Sequence, residues 1–108
     1  VLNIKPYKTY VALLTQTGIL APQPTILENT LGGVISWSYL SPGQYQGTLT
    51  GAFTLNKTTV FLTGPSGQAG IMGASQSLNS ITITIRAING AGTDGILLNT
   101  PIEIRVYN

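Results

Sequence analysis

The sequence predicts an all-β fold: one β-sandwich, jelly-roll or immunoglobulin-like, of about eight short antiparallel strands. Three observations predict it. Apolar residues recur with period 2, Gly and Pro interrupt the chain at short intervals, and no window of about a dozen residues carries the i, i+3, i+4, i+7 pattern of a helix. The clearest alternation is Ile81-Thr82-Ile83-Thr84-Ile85-Arg86, with Ile on one face and Thr and Arg on the other. Ile102, Ile104 and Val106 alternate with Glu103, Arg105 and Tyr107 in the same way. Ile35, Trp37 and Tyr39 share a face opposite Ser36 and Ser38.

Strands are expected at roughly 7–16, 25–30, 34–40, 44–50, 57–63, 69–73, 80–88 and 101–107. Ser41-Pro42-Gly43-Gln44 has Pro and Gly at the central positions of a type II turn and should close a hairpin. Asn89-Gly90 is a type I′ signal after the Ile-rich strand. The Gly-rich stretch from Thr63 to Ser77 reads as a surface loop, or as a loop with a short edge strand over Ala69–Gly73. The expected core includes Ile35, Trp37, Ile81, Ile83, Ile85, Ile102 and Ile104. One domain covers residues 7–108, and residues 1–6 form an N-terminal arm. In that arm Leu2 and Ile4 alternate with Asn3 and Lys5 and the pattern stops at Pro6.

The composition excludes much chemistry. The chain has no Cys and no His, which removes disulfides, thiolate and imidazole metal sites, and Cys- or His-dependent nucleophilic catalysis. Charged residues make up 7% of the 108 positions, against about 25% in an ordinary soluble domain. The basic residues Lys5, Lys8, Lys57, Arg86 and Arg105 are scattered, so no nucleic-acid surface is expected. No apolar run of about 20 residues spans a bilayer. No charged stretch followed by an apolar run resembles a signal peptide.

The acids Glu28, Asp94 and Glu103 do not form the carboxylate pair a glycosidase needs. Glu103 should pair with Arg105 on its own strand face, and Asp94 reads as a turn residue before Gly95. A single Asp is too few for a calcium cage, and the glycines of 90–95 lack the Gly-Lys-Ser/Thr ending of a phosphate loop. No catalytic residue, cofactor or metal is therefore expected, and the chain reads as a non-enzyme. Trp37 and the tyrosines raise sugar binding without defining a site, and Tyr107 should be exposed. Asn56-Lys57-Thr58 is a sequon in an expected turn, which makes Asn56 a candidate for glycosylation.

Several phrases occur together: Tyr7-Lys8-x-Tyr10-Val11-Ala12-Leu13-Leu14-Thr15-Gln16-Thr17-Gly18, Ala21-Pro22, Leu27-Glu28-Asn29-Thr30-Leu31-Gly32, Gly51-x-Phe53-Thr54-x-Asn56-Lys57-Thr58 and Ile102-Glu103-Ile104-Arg105-Val106-Tyr107. In that order they resemble small, free-standing, uncharacterised β-rich proteins of Bacteroidota, flavobacteria especially, and of their phages. The resemblance runs from about residue 7 to residue 107 and implies a bacterial or phage origin and a structural role. It implies no activity and no catalytic residue.

Scarce charge must be offset on the outside of a small domain, by attached sugar or by contact with copies of itself. Edges without Lys gatekeepers favour pairing. The expected function is a structural subunit that self-assembles into an extracellular filament or a phage virion. Val1, Leu2 and Ile4 of the arm would add a strand to a neighbouring subunit. The alternative is a module that binds carbohydrate or a cell surface. The expected partners are copies of the chain itself and glycans.

Overall fold

The computed structural model describes residues 5–62, 71–86 and 94–108, with the backbone alone for 71–75 and 83–86. Eight strands form: β1 Tyr7–Thr15, β2 Gln23–Asn29, β3 Ser36–Ser41, β4 Gln44–Thr48, β5 Thr58–Leu62, β6 Ile71–Gln76, β7 Ser80–Arg86 and β8 Thr100–Tyr107. There is no helix among the described residues, and hence none long and apolar enough to cross a membrane.

The strands make two antiparallel sheets, ordered β2-β1-β8-β5 and β3-β4-β7-β6. The hairpins β1–β2, β3–β4 and β6–β7 stay within one sheet, and the remaining connections cross between sheets. The β3–β4 hairpin turns at Pro42-Gly43, and Gly43 takes φ 74°, the left-handed region that the third position of a type II turn demands. β1 and β8, the first and last strands, pair over their whole length from Tyr7↔Tyr107 to Leu14↔Thr100.

This register sets the faces. Tyr10, Ala12 and Leu14 of β1 lie opposite Ile104, Ile102 and Thr100 of β8, and all six are buried. From the other sheet Tyr45 and Ile81 meet them with no exposed surface. Ile35, Phe53, Leu31 and Leu97, on connecting segments, close the core. Period-2 alternation is thus the direct consequence of one sheet face meeting the other.

Trp37 departs from the expectation of a fully buried side chain: it is half-buried, on an edge strand that has a neighbouring strand on one side only. The ring lies across Gly47, its partner in β4, where an added Cβ would stand 3.1 Å from two ring atoms and 2.7 Å from Ile35 Cγ2. Its Nε1 donates to the Tyr10 hydroxyl at 3.3 Å, tying the two sheets together. Val34 is exposed and precedes the strand, which starts at Ser36 instead. The edge strand expected over 69–73 runs over Ile71–Gln76. The expected core positions Ile83 and Ile85, the Asn89-Gly90 turn and the loop over 63–70 lie outside the described side chains and residues.

Two substitutions test the packing. Ile104→Ala, at a position with no exposed surface, should cost about 2–5 kcal/mol in urea unfolding. Gly47→Ala should cost about 1–3 kcal/mol, because the new methyl collides with Ile35 and Trp37. A loss well under 1 kcal/mol in both would mean that the faces are misassigned.

Candidate functional site

The free edges follow from the strand order. β5 and β6 approach one another on one side of the sandwich, whereas β2 and β3 border the other side without pairing. β2 is blunted. It carries Pro24 and Glu28, and a bulge places Leu27 as an extra residue between the pairs Val11↔Glu28 and Ala12↔Ile26. β3 shares only the register shift, at Leu40 between the pairs Tyr39↔Tyr45 and Ser41↔Gln44. Ser36-Trp37-Ser38-Tyr39-Leu40 holds no charge and no proline, and Leu40 and the preceding Val34 are exposed.

The arm residues Val1, Leu2 and Ile4 lie outside the described residues. The root of the arm is defined. Lys5 Nζ pairs with Glu28 at 3.0 Å, which raises the lysine above its ordinary value. The Pro6 carbonyl accepts from the Asn108 N–H at 3.0 Å, so the chain enters beside the end of β8.

At the opposite end of the sandwich three groups meet on Asp94. Its Oδ2 accepts from the Tyr39 hydroxyl at 2.7 Å, and its Oδ1 accepts from the Gly43 N–H at 2.8 Å. The Tyr45 hydroxyl lies 2.9 Å from Asp94 Oδ1 and 2.8 Å from Gln16 Oε1, and its single proton serves one of these acceptors at a time. Gln16 is buried and fully used. Its Oε1 accepts from the Gly95 N–H at 2.7 Å, and its Nε2 donates to the carbonyls of Gly18 and Leu20 at 2.8 and 3.0 Å. The arrangement staples the β1–β2 loop, the β3–β4 turn and the segment before β8 to one another. Burial alone would raise the Asp94 carboxyl, but the Gly43 N–H and the two tyrosine hydroxyls outweigh it and hold the group below its ordinary value. Burial, and then the Asp94 charge, push the Tyr45 hydroxyl well up.

The outer face of the sheet containing β1 and β8 carries an aromatic group. Arg105 stacks between Tyr7 and Phe61, 4.8 and 4.9 Å from the ring centres, and Tyr7 packs on Tyr107 at 5.1 Å. Glu103 pairs with Arg105 on the same face, as the alternation predicts. Tyr107 is exposed. Asn56 is exposed in the turn before β5 with φ 62°, a left-handed conformation that Asn tolerates better than most residues. The Thr58 hydroxyl of the sequon donates to the Thr54 carbonyl at 2.9 Å.

A cleft of about 410 Å³ opens at the end of the sandwich where the arm enters, between the β2–β3 and β4–β5 connections and the end of β8. Lys8 and Lys57 stand at its walls, and Leu31, Leu49 and Val106 line it with apolar surface. Among the described residues no cluster of three or more carboxylate, imidazole or thiol groups is placed to hold a metal ion.

Sequence reasoning missed the Asp94 staple and the Lys5–Glu28 pair. Tyr39, Tyr45 and Gln16 are 55, 49 and 78 residues from Asp94, and only folding brings them together. Comparison of the chain with family models, with curated proteins and with solved structures gives no match, so the fold and the sites stand on the geometry alone.

The staple predicts an acid response. Because the folded Asp94 carboxyl lies below its ordinary value of 3.8, its contribution is complete above that pH and is lost as pH falls through the folded value. Urea midpoints at pH 6 and pH 3 should therefore drop more for the wild type than for Asp94→Asn. Equal drops would show that the charge on Asp94 stabilises nothing.

Proposed function

We propose that the chain is a non-enzymatic structural subunit that assembles with copies of itself by strand addition at β3. One observation carries this reading. β3 is a free edge on the open side of the sandwich with no charge, no proline and exposed apolar residues at Val34 and Leu40. Such an edge offers a row of backbone donors and acceptors as a template for a further strand. The arm sequence Val1-Leu2-Asn3-Ile4 alternates in the way an added strand requires, and it carries no acid or base before Lys5. The low charge of the whole chain agrees with an outside that is covered by neighbours.

An arm passed from each copy to the next is a heterologous contact, and where the rotation does not close it generates a helical polymer. The assembly is an extracellular filament or a virion. That assignment, like the origin in Bacteroidota or their phages, rests on the sequence phrases alone. Pairing of the first strand with the last counts against the immunoglobulin order, in which those strands occupy opposite sheets. The double-sheet arrangement is closer to the jelly-roll expectation, with a strand order of its own.

A second reading, binding of carbohydrate or a cell surface, is favoured by the Tyr7, Phe61 and Tyr107 rings grouped on one outer face.

Light scattering at micromolar concentration tests the assembly. The wild type should form polymers. Deletion of residues 1–6 should leave monomers with an unchanged circular dichroism spectrum. Leu40→Lys, with the arm intact, should also yield monomers by charging the receiving edge. A monomeric wild type, or polymers that survive both changes, would remove the proposed mechanism.

A further inference from the structure

The charge inventory singles out the cleft beside the arm root. The chain has three acids, and each has partners: Glu28 with Lys5, Glu103 with Arg105, and Asp94 with two tyrosine hydroxyls and the Gly43 N–H. Lys8 and Lys57 make no ion pair among the described residues. Both stand at the walls of the same cleft, which no acidic side chain lines. Their placement follows from the register. Lys8 lies opposite Val106, in the phase of β1 that continues inward as Tyr10, Ala12 and Leu14. A lysine therefore ends an otherwise inward-facing row where the sandwich opens. Lys57 is fixed on the other side of Val106 by its carbonyl, which accepts from the Tyr107 N–H at 2.7 Å.

Two ammonium groups alone would suit any anion, but the rest of the lining is more selective. Leu49 and Val106 supply an apolar surface, and Thr50 and Thr54 supply hydroxyls. Gly32 and Gly51, at φ 93° and 71°, meet open space where a Cβ would stand, so a ligand can approach their backbone closely. A volume of about 410 Å³ lies within the size range of small-ligand sites. We propose that this cleft binds an acidic saccharide, a sugar ring bearing a carboxylate or sulfate, one to two rings long. The anion would sit between Lys8 and Lys57, the apolar face of the ring on Leu49 and Val106, and the ring hydroxyls against Thr50, Thr54 and the glycine backbone. The arm is a poor occupant of this space, because residues 1–6 carry no acid to meet two unpaired lysines. The site is thus separate from β3 and does not depend on the assembly reading.

Titration calorimetry on the full chain tests it with a glucuronate-containing disaccharide, the corresponding glucose disaccharide and sodium sulfate. The acidic disaccharide should bind, and the neutral one should bind at least about tenfold more weakly, a difference of about 1.4 kcal/mol. Lys8→Gln and Lys57→Gln should each weaken the acidic ligand by about tenfold, and added salt should weaken it in the wild type. Lys5→Gln, a lysine outside the cleft, should leave the affinity unchanged. Both cleft variants change exposed side chains, and their polymer mass by light scattering should match the wild type, which separates this site from assembly. No heat with the acidic disaccharide, equal affinity for the neutral one, or full affinity in the double variant Lys8→Gln/Lys57→Gln would overturn the proposal. So would sulfate alone binding as tightly as the acidic disaccharide, since the cleft would then hold a bare anion and the apolar surface would contribute nothing.

Discussion

The pairing of β1 with β8 is the constraint on which the rest of the structure depends. These strands are the first and the last, yet they lie side by side in the middle of one sheet, and their inward residues form the centre of the core. β2 and β5 are joined into one sheet only through this pairing, because β2 pairs with β1 alone and β5 with β8 alone. The loop closed by this pairing is nearly the whole chain, so its entropic cost precedes most of the stabilising contacts. The Asn108 N–H to Pro6 carbonyl bond extends the same pairing one step beyond the strands and fixes where the arm leaves the domain.

At the other end of the sandwich polar groups perform what apolar packing performs in the middle. Gln16 is buried at the end of β1, in the inward phase that Tyr10, Ala12 and Leu14 establish. Its amide satisfies two loop carbonyls and one loop N–H, and its oxygen meets the Tyr45 hydroxyl. Asp94 continues the network to Tyr39 and the Pro42-Gly43 turn. Such a network is stabilising only when its members are satisfied together. It ties down the β1–β2 loop, in which Ile19 and Leu20 are exposed.

Scarcity of charge gives each charged residue unusual weight. With three acids in 108 residues, one network and two ion pairs use them all. The surface that remains is made of hydroxyls, amides and apolar side chains, with little repulsion between copies. Edge protection is correspondingly uneven: β2 has a proline, a bulge and an acid, and β3 has only a register shift at Leu40. The same arithmetic leaves Lys8 and Lys57 as unpaired cations across one cleft.

The sequence by itself determined the all-β class, the approximate positions of the strands and the inward faces of β7 at Ile81 and of β8. Each of these rests on period 2, on the β-branched runs at 81–86 and 102–107 and on the turn chemistry of Pro42-Gly43, all of which act between near neighbours in the chain. The Glu103–Arg105 pair was legible for the same reason, since residues two apart on a strand share a face. Only the tertiary structure decided which strands became edges, and so why Trp37 is half-buried and why the uncharged β3 borders its sheet. Only it brought Asp94 to Tyr39, Tyr45 and Gln16, and Lys8 to Lys57. Those encounters depend on the order of strands within two sheets, and alternation along one strand fixes which face a side chain takes without naming the strand it will meet.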